Sequence, residues 1–152
     1  MLQTVLPEPL RTRIADELFA KHVDISQEEL AQQLYLSRSQ IRALKQEGMA
    51  IGIHGYKHHR LSTLTETELD QDISLALKQM TEFIDLHHWA IAYPYGDYNL
   101  QTLNYLHAKG AALGFTTQVR AADITKEESL LLPRFDCNDF PPITVALPEG
   151  LL

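Results

Sequence analysis

The chain has a single cysteine, Cys137, so no disulfide can form within it, and a lone thiol fits a reducing compartment. It has one tryptophan, Trp89, and no apolar run near the roughly 20 residues that a membrane-spanning helix needs. The N-terminus lacks an apolar signal core and carries Pro7, Glu8 and Pro9 early, so the expected location is the cytoplasm. Positive charge is in deficit. Thirteen Lys and Arg stand against 20 Asp and Glu, a formal net charge of -7 at pH 7. That balance disfavours a phosphate-backbone partner. Internal repeats and low-complexity tracts are lacking as well. The rest is ordinary for a soluble protein: 152 residues, 45% hydrophobic and 22% charged, enough for one domain with a real core.

The pattern along the chain divides into a helical lead-in, residues 1–48, and an α/β core, residues 49–136. Leu10, Ile14, Leu18 and Phe19 recur at helical spacing over Leu10 to Lys21. Ser26 and Glu29 form a capping box before Glu28 to Leu34. Ser37 caps Arg38 to Gln46, and Gly48 stops it. The short apolar run Met49 to Ile53, bounded by glycines, predicts a buried strand. A long helix is expected from Glu66 to Ile84, capped by Thr63 or Thr65, with Leu69, Ile73, Leu75, Leu77 and Met80 on its apolar side. His88 to Tyr93 reads as a strand ended by Pro94. A helix from Asn99 or Thr102 to Lys109-Gly110 follows, then strands over Ala112 to Thr116 and Leu130 to Arg134. Alternating strand and helix predicts parallel strands, with functional loops at their C-terminal ends.

Three constellations fall at those ends. His54-Gly55-Tyr56-Lys57-His58 follows the first strand, and two imidazoles four positions apart can share one metal ion. Gly52 and Gly55 argue for a loop rather than a helix; a histidine-rich polar turn without a ligand is the plainer alternative. His59 points away from its neighbour, and His22, His87, His88 and His107 read as surface or packing residues. Tyr93-Pro94-Tyr95-Gly96-Asp97 ends the next strand in a tight turn. Such a turn can aim backbone N–H groups into a cavity, as an oxyanion hole requires. Leu132-Pro133-Arg134-Phe135-Asp136 is the third: Arg134 and Asp136 could orient a catalytic group, or form an ordinary loop ion pair.

Together these residues resemble the polysaccharide deacetylases, carbohydrate esterase family four. Ile51-Gly52-Ile53-His54-Gly55-Tyr56-Lys57-His58 is similar to that family's glycine-containing strand and its His-(Ser/Thr)-x-x-His motif. Leu61 and Leu64-Thr65 continue the match, Gln46-Glu47-Gly48-Met49 resembles the lead into the strand, and Ala92-Tyr93-Pro94-Tyr95-Gly96 looks like the Arg-x-Pro-Tyr-Gly motif without its arginine. The resemblance covers roughly residues 37 to 136. It implies an incomplete or distorted (β/α) barrel with a helical N-terminal segment. It also implies a divalent metal, most often zinc, on His54 and His58. Tyr95 would hold an oxyanion through its N–H, with Arg134 and Asp136 as further catalytic candidates. Tyr93, Pro94 and Gly96 would line the substrate side. The implied reaction is hydrolysis of an N-acetyl group on an amino sugar or its polymer.

Three parts of the family pattern are missing. No Asp-Asp pair occurs anywhere, no histidine follows His107, and Gly55 stands where a hydroxyl residue is usual. The expectation is a deacetylase domain without its first βα unit and last motif, truncated or inactive as this chain. Asp136, Asp139 or a second subunit could bring a carboxylate, and a homodimer could cover the open sheet edge. Two other readings stand beside this one. A non-catalytic carbohydrate-binding or assembly protein could use the same scaffold. Residues 27–47 also have the form of a helix-turn-helix, with Arg38, Ser39, Gln40 and Arg42 on the reading helix. Three basic against three acidic residues there leave no basic footprint for DNA.

Overall fold

Pro7 and Pro9 stand at the start of the first helix, where a missing N–H breaks no intrahelical bond. In this computed structural model, which describes residues 6–140, that helix is α1, Glu8–His22. The Ser26–Glu29 capping box is formed. Ser26 Oγ accepts from Glu29 N at 3.1 Å, and the Glu29 carboxylate accepts from Ser26 N at 3.0 Å, opening α2, Gln27–Leu34. Ser37 Oγ accepts from Gln40 N at 3.3 Å at the start of α3, Arg38–Gln46. The chain divides into two compact units, Met1–Ala43 and Leu44–Leu152. In the first, Gln27 Nε2 donates to Asp16 Oδ1 at 3.2 Å, tying α2 to α1, and no described side chain is buried.

The core lies in the second unit. Thr65 and Glu68 make a second capping box ahead of α4, Glu66–Met80. The buried side of α4 is Leu69, Asp72, Ile73 and Ala76, the i, i+3, i+4, i+7 stripe of one helix face. Strand β1, Trp89–Ala92, pairs in parallel with β2, Ala111–Phe115. Between them runs α5, Leu100–Ala108, whose N-cap Asn99 accepts from Thr102 N at 2.8 Å. Ile53 adds a parallel bridge to Ile91, and Leu132 one to Phe115. Ile73, Ile91, Tyr93 and Leu106 are fully buried.

This is an α/β arrangement, but among the described residues the sheet has two strands and no barrel closes. Met49–Ile53 is not a strand. Ile53 N donates to Ala90 O at 2.9 Å and Ile53 O accepts from Ala92 N at 3.0 Å, and the left-handed turn at Gly55 then takes the chain off the ladder. Leu130–Arg134 likewise forms a bridge only at Leu132, where Leu132 N donates to Gly114 O and Leu132 O accepts from Thr116 N, both at 2.8 Å; Arg134 N then donates to Gln118 O, beyond the end of β2. The long helix stops at Met80 rather than Ile84. Thr81 Oγ1 donates to Leu77 O and Lys78 O at 3.0 and 3.1 Å, and the following turn buries Phe83 and Ile84. Among the described residues no helix is long and apolar enough to cross a membrane.

Candidate active site

The bridge at Ile53 delivers His54 to the C-terminal end of β1. His54 Nδ1 lies 2.7 Å from Ala92 O. A carbonyl can only accept, so Nδ1 carries a proton, and in the neutral ring the lone pair is then on Nε2. Four residues on, His58 Nε2 lies 3.1 Å from His54 Nε2, with ring centroids 4.8 Å apart and planes at 59°. Both rings are exposed, so the point on which the two nitrogens converge is open to solutes.

The turn after β1 closes on the same place. Tyr95 sits at φ 59°, ψ 11° and Gly96 at φ 65° within Pro94–Gly96. A Cβ on Gly96 would lie 2.8 Å from Thr117 Cγ2, so both the backbone and the space require glycine. Among the described residues, His58 and Tyr95 are the non-glycine residues with positive φ. Such conformations cost of order 1–3 kcal/mol each and persist where the surroundings over-determine them. The Tyr95 ring meets His58 edge-on, centroids 4.7 Å apart. Arg60 stacks its guanidinium 4.6 Å from the Tyr95 centroid, with Nη1 3.8 Å from Asp97 Oδ2. Asp97 Oδ1 also accepts from Ser62 N at 2.8 Å. Arg60 escaped the sequence reading, although it follows His58 by two residues, and Asp97 was read there only as the last residue of the turn.

The remaining candidates are placed otherwise. Tyr93 and Pro94 are buried, and Tyr93 Oη donates to Leu130 O at 2.8 Å, so they pack the floor beneath the turn. Burial, and secondarily the neighbouring Tyr98, pushes the Tyr93 phenol well above its ordinary range. Arg134 Nε donates to Thr116 O at 3.0 Å, pinning the exit of β2. The Asp136 carboxylate caps the short turn Cys137–Asp139, accepting from Asn138 N at 2.9 Å and Asn138 Nδ2 at 2.7 Å. Among the described residues no third His, Cys, Asp or Glu joins the two histidines. The expectation that Asp136 or Asp139 completes a ligand set is therefore not met: Asp136 caps its own turn, and Asp139 Oδ2 accepts from Asp136 N at 2.7 Å.

The donor set fits part of a zinc site. At Zn–N distances of about 2.0–2.1 Å, tetrahedral geometry spaces two ligand nitrogens about 3.3–3.4 Å apart. The 3.1 Å between the two Nε2 atoms is close to that spacing. Ala92 O supplies the orienting acceptor that metal-ligating histidines generally have on their other nitrogen. Two nitrogens are half of a four-coordinate set.

Fold and site define an α/β protein with a two-histidine centre at its strand ends. The family described as polysaccharide deacetylase matches residues 16–114, a span that holds His54, His58 and Tyr95, and the chain belongs to that family. It is 28% identical over 88 residues to the Bacillus subtilis protein named "Putative polysaccharide deacetylase YxkH", an alignment covering 58% of this chain and 32% of that one. Among solved structures it is similar to the Streptococcus pyogenes deacetylase PplD in complex with acetate, at 26% identity and a TM-score of 0.52. That match covers 77% of this chain and 47% of the other. The chain thus spans less than half the length of either relative.

Proposed function

We propose that this chain carries the histidine half of a metal-dependent N-deacetylase site, acting on an acetylated amino sugar or its polymer. The observation behind the proposal is the 3.1 Å approach of His54 Nε2 to His58 Nε2, with the His54 tautomer set by Ala92 O. His54 and His58 would hold the ion. A bound divalent ion would polarise the acyl carbonyl and make a water nucleophilic at neutral pH. The chain's own part is to place and orient. Gly96 N and Asp97 N are engaged inside the turn, donating to Tyr93 O and Pro94 O at 2.9 and 3.1 Å. The N–H proposed to meet a developing oxyanion is therefore that of Tyr95. The Tyr95 ring and the Arg60 guanidinium, both half-buried, form a stacked pair beside His58 that could meet a sugar ring. Among the described residues no carboxylate joins the two histidines as a third group. Turnover is accordingly proposed to need one supplied from elsewhere, in the same protein or a second copy.

The solved relative's acetate is the product such a reaction would release. The test is acetate release from an N-acetylated chito-oligosaccharide by the zinc-supplemented protein. Release that disappears in both His54→Ala and His58→Ala supports the reading. Saccharide binding without release would instead favour a non-catalytic carbohydrate-binding role for the same scaffold.

A further inference from the structure

The buried face of α4 carries one charged side chain. Asp72 is 5% exposed and shares its helix face with Leu69, Ile73 and Ala76. Burying a carboxylate in such company is costly unless its oxygens find donors. Both do, and both donors lie in the histidine loop: Tyr56 N donates to Oδ2 at 2.8 Å and Lys57 N to Oδ1 at 2.9 Å. One carboxylate thus takes two consecutive main-chain N–H groups, one on each oxygen. Gly55 makes the approach possible. It sits at φ 72°, and a Cβ there would lie 3.0 Å from Asp72 Oδ2. The clamped residues are those between the two imidazoles, and His58 follows at φ 57°.

We infer that Asp72 is a positioning residue for the His54–His58 centre: its carboxylate holds the Gly55–His58 turn in the left-handed course that returns His58 to His54. His54 is anchored independently on Ala92 O and His58 leans on Tyr95, so the turn between them is what sets their separation. The carboxylate is required because an aspartate offers an acceptor on each oxygen, whereas an asparagine offers one acceptor and turns an N–H toward the other donor. The consequence for metal binding rests on the function proposed above; the clamp itself does not.

The experiment compares the whole chain with Asp72→Asn, reading three things. Amide hydrogen exchange reports on Tyr56, Lys57 and α4. Imidazole nitrogen NMR without metal reports on the two rings. Titration with zinc chloride gives affinity. The expected result is exchange at Tyr56 and Lys57 at least about tenfold faster, with Leu69 to Ala76 keeping their protection. The ring signals of His54 and His58 should change, and zinc affinity should fall about 10- to 100-fold, as for other losses of an orienting partner. Unchanged exchange at Tyr56 and Lys57, or unchanged zinc affinity in a protein that binds zinc at these histidines, would overturn the inference. A wild-type chain that binds no zinc would defeat the functional proposal alone, and the exchange and ring signals would then decide the clamp. If Asp72→Asn does not fold, Gly55→Ala decides instead. Its Cβ displaces the carboxylate from the loop side, and the same local changes with α4 intact support the inference, while wild-type exchange and rings overturn it.

Discussion

Tyr93→Phe isolates one buried hydrogen bond beneath the site. The Tyr93 hydroxyl, on a fully buried ring, donates at 2.8 Å to the carbonyl of Leu130, itself 7% exposed. Its raised pKa keeps the phenol protonated, and so a donor, throughout the range in which the protein would be handled. Phenylalanine keeps the ring and opens no cavity of carbon volume, so the large-to-small penalty does not apply. What remains is a buried carbonyl stripped of this partner, a cost of about 1–3 kcal/mol. For a chain of 152 residues each kcal/mol lowers Tm by roughly 2–4 °C. Urea unfolding followed by tryptophan fluorescence measures the loss directly. Trp89 is the sole tryptophan, is 2% exposed and sits in β1, four residues before the substitution. The midpoint should fall with the slope unchanged. A loss under about 0.5 kcal/mol, the range of an ordinary surface substitution, would refute the reasoning.

Two further outcomes are expected. Thr65→Ala removes the cap whose Oγ1 accepts from Glu68 N at 3.3 Å and should cost about 1 kcal/mol, read in the same urea assay; Thr63→Ala, outside the capping box, should cost less. Asp70 accepts from Lys109 Nζ at 2.7 Å and Tyr105 Oη at 2.8 Å, and these bonds, Lys109's first, hold its carboxyl below the usual aspartate range. A depressed folded-state pKa contributes stability above the unfolded value and loses it as pH falls through the folded one. Thermal unfolding should therefore show wild type ahead of Asp70→Asn at neutral pH, with the gap closing below the ordinary aspartate range. A gap that persists or widens in acid would contradict the assignment.

Local signals account for what the sequence revealed. Ser26, Thr65 and Asn99 each cap a helix because their partners lie three residues away, within reach of the sequence pattern alone. His54 and His58 were legible as a pair for the same reason, and their rings do meet. Pairing across the sheet is not local. Nothing in Met49 to Ile53 announces that only Ile53 finds a partner, or in Leu130 to Arg134 that only Leu132 does. The expected stripe on α4 included Leu75, which is 39% exposed, and omitted Asp72, which is buried. A charged residue in register with Leu69, Ile73 and Ala76 was the available signal; what made it favourable, the two N–H groups of a loop 15 and 16 residues away, was invisible in one dimension. Arg134 and Asp136 carry suggestive chemistry in sequence, yet Arg134 Nε donates to Thr116 O and Asp136 Oδ1 accepts from Asn138, contacts that serve the local chain course.

Calorimetric titration of the metal-free chain with zinc chloride addresses the shared-cation claim most directly. One ion should bind per chain, and either His54→Ala or His58→Ala should abolish that event while His107→Ala leaves it in place. Equal zinc uptake by wild type and both variants, or none by wild type, would contradict it.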